Sequence, residues 1–192
     1  VLCDLDTLKT LPKRELRAGL AEVIKYGIID AATLFRRLER KMPSLLKLDA
    51  KEMSHVIARS CQIKAKIVEQ DEREGGLRAI LNYGHTIGHA LEAISSYGKY
   101  LHGEAISIGQ VAASKISRDQ HDLGQAEVDR IEALFAGAGL PTTVALSKPE
   151  TTKLLAAMKL DKKVSGGEIK FVLAKSIGNV DFGIDVPQTT IK

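Results

Sequence analysis

The sequence predicts a mainly α protein, a multi-helical bundle carrying a short pair of β-strands near its C-terminus. Two observations predict it. Apolar residues make up 44% of the 192-residue chain, yet aromatics reach only 4% and Trp is absent, so the core must come from Leu, Ile, Val and Ala. That mixture suits packed helices. Apolar positions also recur at three- and four-residue spacing along most of the chain, whereas residues 169–174 and 179–184 read as two short strands around Ser176-Ile177-Gly178.

The elements follow in order. Residues 1–6 (VLCDLD) read as a strand whose neighbours lie outside the chain, and with Val rather than Met in first place this suggests a fragment or a processed chain. Pro12 marks a helix start, in the first turn where a missing N–H costs little. The helix expected over residues 13–29 places Leu16, Leu20, Val23, Ile24 and Gly27 toward a core and Glu15, Gly19, Glu22 and Lys25 on another side. A second helix is expected over 31–40, its cluster of Arg36, Arg37, Arg40 and Lys41 forming a solvated face. A third covers 50–69, with Val56, Ile57, Ile63 and Ile67 at core spacing. After the break at Gly75-Gly76 come helices over 82–95, 104–118, 125–136 and 148–159, with a loop over 98–103. Residues 1–10 are thus expected to be a strand and linker, and 11–192 a single helical domain.

Charge and cysteines narrow the function classes. The net charge is +4 and the pI about 9.0, but Lys and Arg alternate with 24 acidic residues and form no long basic block. An anionic small substrate accounts for the excess as well as nucleic acid does. Cys3 and Cys61 lie far apart with no C-x-x-C spacing, which indicates neither a disulfide framework nor a thiolate zinc site. No apolar run approaches the roughly 20 residues of a membrane span, and no charged-then-apolar leader opens the chain. A cytoplasmic protein, with neither a membrane nor a nucleic-acid partner, is the expectation.

The chemistry concentrates in residues 77–92 (LRAILNYGHTIGHALE). His85 and His89 stand four apart and share a helical face; Arg78, Asn82 and Glu92 extend that face into a polar stripe if the helix reaches back to Arg78. Gly84 and Gly88 flank the histidines, and Gly inside a helix costs about 1 kcal/mol relative to Ala, so a close approach of backbone or ligand is expected there. An isolated His pair is more often a satisfied structural feature than a metal site. Two further residues shift that balance: His102 precedes Gly103-Glu104 at a helix start, and Glu22 sits mid-helix beside the small Ala18 and Gly19. Zinc accepts imidazole nitrogen and carboxylate oxygen, and a catalytic site keeps one position open. Spacing does not decide which two histidines bind and by itself favours the adjacent pair. Lys25, Lys64, Arg78 and Lys162-Lys163 are cations that, converging near a metal, would clamp phosphate or carboxylate. No glycine-rich phosphate loop follows a strand, so a nucleotide would be held largely elsewhere.

Taken together, LPKRELRAGLAEVIKYGII (residues 11–29), IKAKIVEQDEREGGLRAILNYGHTIGHALE (63–92) and LHGEAISIG (101–109), with DKK (161–163) and FVLAKSIG (171–178), resemble the signature blocks of the 3-dehydroquinate synthases. The resemblance spans almost the whole chain in family order. It implies the fold of that family's helical domain, with a partner N-terminal α/β NAD domain absent from this chain, and a homodimer. It also implies zinc, or another divalent metal such as Co2+, on Glu22, His85 and His102, with His89 facing substrate or moving protons. Lys25, Lys64, Glu74, Arg78, Asn82 and one of Lys162 or Lys163 match positions that surround substrate. Thr7, Leu8, Lys9 and Thr10 match a stretch touching NAD at the domain seam.

The implied activity is that of a phosphate-eliminating lyase of the shikimate pathway. It converts 3-deoxy-D-arabino-heptulosonate 7-phosphate to 3-dehydroquinate by oxidation with NAD, loss of phosphate, re-reduction, ring opening and aldol closure, and the fragment alone is expected to be inactive. The rival readings are a related sugar-phosphate cyclase or metal-dependent polyol dehydrogenase, and, from another class, a non-catalytic helical or nucleic-acid-binding module, whose sign would be salt-sensitive binding without metal.

Overall fold

The computed structural model describes residues 3–72, 76–95, 98–161, 169–187 and 189–191. Seven α-helices are found among them: α1 Lys13–Ile29, α2 Ala32–Leu46, α3 Ala50–Gln70, α4 His85–Ile94, α5 His102–Gln120, α6 Gln125–Gly137 and α7 Lys148–Asp161. Strands β1 Lys170–Ser176 and β2 Asn179–Asp185 pair antiparallel, with Lys170 opposite Asp185 and Ser176 opposite Asn179. Helices and hairpin agree with the expected fold class. Among the described residues no helix is long and apolar enough to cross a membrane.

The core is divided into two clusters with α5 between them. One gathers α1, α2, α3 and α6 around Ile24, Phe35, Leu38 and Phe135; the other joins α4 and α7 to the hairpin through Leu91, Met158, Phe171 and Leu173. Helix α5 gives Val111 and Ala113 to the first and Ala105, Ile108 and Ile116 to the second. Burial on both sides requires small residues, and Gly103, Ser107, Gly109, Ser114 and Ser117 are all buried on this helix. Strand β1 alternates in the same way, Val172 and Ala174 facing one cluster and Phe171 and Leu173 the other.

Several expectations are corrected. Of the strand expected over residues 1–6, the described residues 3–6 form none: Leu5–Thr10 is a 3-10 turn, because Asp4 Oδ1 accepts from Asp6 N at 2.9 Å and the Thr7 hydroxyl donates to Asp4 O at 2.7 Å, closing the chain on itself. Helix α2 does not stop at residue 40 but runs through Pro43 to Leu46, where burial of Met42 and Leu45 outweighs the lost backbone bond. Arg37 is not on a purely solvated face. Its guanidinium donates to both oxygens of the buried Glu52 at 2.8 and 3.1 Å, tying α2 to α3.

The polar stripe is also interrupted. Arg78 and Asn82 lie on a separate 3-10 turn, Leu77–Asn82, and Gly84, with φ of 77°, breaks the path before α4 begins at His85. A Cβ on Gly84 would lie 2.6 Å from the backbone nitrogen of Gln110. The turn is held instead by Asp71, whose Oδ2 accepts from Gly76 N at 2.8 Å and Arg78 N at 2.9 Å.

Candidate metal centre

Three helices meet where their backbones touch. A Cβ on Gly103 of α5 would lie 2.0 Å from Ala18 O of α1, and one on Gly109 would lie 2.1 Å from Gly84 O before α4. A Cβ on Gly88 of α4 would lie 2.5 Å from the Ile106 side chain of α5 and 3.1 Å from its Cα. These contacts, closer than any side chain permits, bring Glu22, His85 and His102 from α1, α4 and α5 to one place. Each offers one ligand atom, and the three atoms lie within 4.8 Å of one another.

The protonation pattern inside this cluster is informative. His85 Nδ1 lies 3.1 Å from Tyr83 O, a contact it satisfies by donating its proton, and this leaves a lone pair on Nε2. Nε2 in turn lies 3.5 Å from Glu22 Oε1. Burial, with the nearby Lys25 ammonium, pulls the His85 pKa down to about 4 despite the Glu22 carboxylate, so the ring is neutral at pH 7. Two acceptors therefore face each other. Glu22 Oε1 is buried with no hydrogen-bond partner among the described residues, although a third of the side chain is exposed. A divalent cation between them would resolve that clash. Ligand pairs around a tetrahedral zinc stand ~3.4 Å apart, given bonds of about 2.0–2.2 Å, and 3.5 Å fits. The donor set, two imidazoles and a carboxylate, is of the type zinc takes.

The surroundings are cationic. Lys25, 4% exposed, donates to Glu22 Oε2 at 2.6 Å. Burial lowers its pKa, which Glu22 opposes and Lys64 reinforces. For Glu22, burial raises the pKa, but Lys25 and the rings of His85 and His102 bring the net value below the ordinary range. Lys64 also lines an open cleft of ≈ 400 Å³ with Arg78, Asn82, Ala79 and Leu81. The cleft and the triad are thus electrostatically joined through Lys64 and Lys25.

His89 completes a cluster of rings, its centroid 5.2 Å from that of His85 and 5.9 Å from that of His102. Thr7, Leu8, Lys9 and Thr10 lie on the first 3-10 turn, where Leu8 packs on the core and the other three are exposed. Glu74, Lys162 and Lys163 lie outside the described residues. Sequence reasoning missed Arg14 and Glu104. Arg14 donates to both Glu104 oxygens at 2.7 Å and to Lys99 O at 3.0 Å, and Glu104 Oε2 accepts from Leu101 N at 2.9 Å. A capping-box signature would have drawn attention to Glu104, but Leu101 stands where Ser or Thr is expected, leaving only half the motif.

A neutral imidazole, a second ring and a buried carboxylate oxygen, brought together by glycine contacts among three helices, define a helical domain with a candidate metal-ligand cluster at its helix junction. A family model described as 3-dehydroquinate synthase C-terminal matches residues 19–164, and the chain belongs to that family. Among curated relatives, the 3-dehydroquinate synthase of Nitrosomonas europaea is 51% identical over 187 residues, covering 97% of this chain and 50% of that protein. That of Gloeobacter violaceus is 48% identical over 192 residues, covering 100% and 53%. The chain spans about half the length of the curated relatives it matches. Among solved structures, 2-epi-5-epi-valiolone synthase from Streptomyces hygroscopicus subsp. jinggangensis 5008, with NAD+ and Zn2+ bound, superposes with a TM-score of 0.87 at 28% identity, covering 98% of this chain and 52% of that one. A 2-deoxy-scyllo-inosose synthase complexed with carbaglucose-6-phosphate, NAD+ and Co2+ shares the fold, with a TM-score of 0.82 at 24% identity, covering 98% and 53%.

Proposed function

We propose that this chain is the metal- and substrate-binding part of a 3-dehydroquinate synthase. In this reading the whole protein converts 3-deoxy-D-arabino-heptulosonate 7-phosphate to 3-dehydroquinate and phosphate, using NAD catalytically. The observation that carries the reading is the pair of facing acceptors, Glu22 Oε1 and His85 Nε2, 3.5 Å apart with His102 beside them. Glu22, His85 and His102 hold the divalent ion, zinc or a similar metal such as Co2+. When bound, the ion supplies Lewis-acid polarisation of a substrate oxygen and NAD supplies hydride exchange.

The chain's own residues do the rest. Lys64, Arg78 and Asn82, with Glu74 and one of Lys162 or Lys163, grip the phosphate and carboxylate of the sugar acid, which orients the leaving group and neutralises its charge. Lys25 fixes the Glu22 carboxylate through Oε2, leaving Oε1 for the ion. His89, next to both ligand rings, moves a proton between substrate and solvent. Thr7, Leu8, Lys9 and Thr10 meet NAD at a seam with an N-terminal NAD-binding domain, residues 11–192 form one functional domain, and the protein works as a cytoplasmic homodimer.

The second reading, another sugar-phosphate cyclase, is favoured by the likeness to 2-epi-5-epi-valiolone synthase, a likeness that does not favour a metal-dependent polyol dehydrogenase. The assay that separates them uses the protein with its NAD-binding half, NAD and Zn2+. Phosphate released from 3-deoxy-D-arabino-heptulosonate 7-phosphate without accumulation of NADH supports the synthase; release from a different sugar phosphate but not from this one, or polyol oxidation with accumulating NADH, overturns it.

A further inference from the structure

His102 is the least supported of the three proposed ligands. Its side chain is 51% exposed and it opens α5, so a ring left to itself would keep rotamer freedom that metal binding must remove. Glu92, on the last turn of α4, opposes that freedom. Its Oε1 and Oε2 lie 3.2 and 3.3 Å from His102 Nδ1, one carboxylate straddling one ring nitrogen.

We propose that Glu92 is the positioning residue for His102: it accepts the Nδ1 proton, fixes the tautomer and ring plane, and so presents Nε2 to the ion. The inference rests on the metal seat proposed above. His85 has the equivalent arrangement, its Nδ1 donating to Tyr83 O. The difference between the two partners has a physical reason. His85 is only 12% exposed in its side chain, where a neutral carbonyl meets little competition from water. The His102 ring is half in solvent, where a charged acceptor, making a stronger bond, is needed to hold it. A carboxylate there also makes the ring a better donor to the metal.

The competing use of these atoms is a second cation seat, since ligand atoms of His89, Glu92 and His102 also lie within 4.8 Å of one another. It is disfavoured because Nδ1 would have to surrender its proton while Nε2 already holds an ion.

The test is Co2+ titration of the metal-free chain, followed by visible absorption, for wild type, Glu92→Gln, Glu92→Asp and His85→Ala, each checked for unchanged helical circular dichroism. Wild type is expected to bind one equivalent. Glu92→Gln should bind one equivalent about 10–100-fold more weakly with a shifted absorption band, and Glu92→Asp should recover part of the loss. NMR of the imidazole nitrogens in the Zn2+-loaded wild type, which needs no variant, should find His102 protonated at Nδ1 and metal-bound at Nε2. Wild-type affinity and spectrum in Glu92→Gln, or the reversed nitrogen assignment, overturns the inference. So does a second equivalent in wild type that Glu92→Gln removes. Undiminished one-equivalent binding by His85→Ala overturns the metal seat instead.

Discussion

Glu22 divides its carboxylate: Oε2 accepts from Lys25 Nζ at 2.6 Å, one turn along α1, while Oε1 is buried and faces His85 Nε2 at 3.5 Å with no donor between them. The metal-free site is thus neutralised on one side and frustrated on the other. In the proposed reading a cation bound here relieves the frustration, which would couple metal occupancy to stability.

Replacing Lys25 by Ala leaves Glu22 without its ion partner. Breaking a buried pair by removing one member costs 3–5 kcal/mol in general, and the part-exposed Glu22 reduces that to about 2–3 kcal/mol here. The metal-free Lys25→Ala chain is expected to melt at lower temperature than wild type. The rise in Tm on adding Zn2+ should be larger than in wild type, because the ion then supplies compensating charge that Lys25 no longer provides. Calorimetry with and without metal checks both.

Acid destabilises the metal-free chain through His85. The folded pKa of about 4 lies below the ordinary value of 6.5, so between those limits the unfolded chain binds a proton that the folded chain does not. Stability is therefore full above pH 6.5 and declines as pH falls toward 4, by at most about 3 kcal/mol at 1.36 kcal/mol per unit. Glu22, held below its ordinary range, adds a further loss below pH 4.5. Urea unfolding of the chelated chain across this range should flatten in His85→Gln.

Gly103→Ala tests the helix contact that unites the site. The added methyl would stand 2.0 Å from Ala18 O, so α5 must move away from α1. A loss of at least about 1–3 kcal/mol is expected, together with weaker metal binding, since Glu22 and His102 separate. Gly19→Ala is the control: a Cβ there meets nothing within 4 Å, and replacing a mid-helix glycine should stabilise by roughly 0.5–1 kcal/mol. Equal effects of the two would contradict the role given to the glycine contact.

The Lys64, Arg78 and Asn82 cleft is expected to bind inorganic phosphate in the zinc-loaded chain. Loss of one charged hydrogen-bond donor in Lys64→Ala should weaken that binding about tenfold, given roughly 1.5 kcal/mol for such a bond. Isothermal titration at fixed ionic strength measures it; unchanged affinity would remove Lys64 from the anion site.

The helices were legible because their apolar residues repeat at helical spacing: α1 matches its expected limits, α2 runs six residues further than expected, and the other helices differ by at most three residues at their ends. The misreadings share a cause. Side chains that close local hydrogen bonds, Asp4 on Asp6 N and Asp71 on Gly76 N, override pattern, and they turned a supposed strand and a supposed helical turn into 3-10 segments. Gly84 was recognised as a point of close approach, but its left-handed backbone, which severs Arg78 and Asn82 from α4, has no signature in spacing. Among the site residues, His85 and His89 were visible as an i, i+4 pair. Spacing favours them as co-ligands; among the described residues the ligand atoms of Glu22, His85 and His102 lie within 4.8 Å of one another, and so do those of His89, Glu92 and His102. Only the family resemblance, not the local pattern, points to the first of these sets. Arg14 and Glu104 stayed hidden because a contact across 90 residues leaves no local trace.

The most direct test of the central claim is metal content by elemental analysis after Zn2+ loading and dialysis, for wild type and for Glu22→Gln, His85→Ala and His102→Ala. One equivalent in wild type and none in any of the three variants is the expected result. Retention of a full equivalent by Glu22→Gln, with the two histidine variants empty, would contradict a seat built on all three side chains.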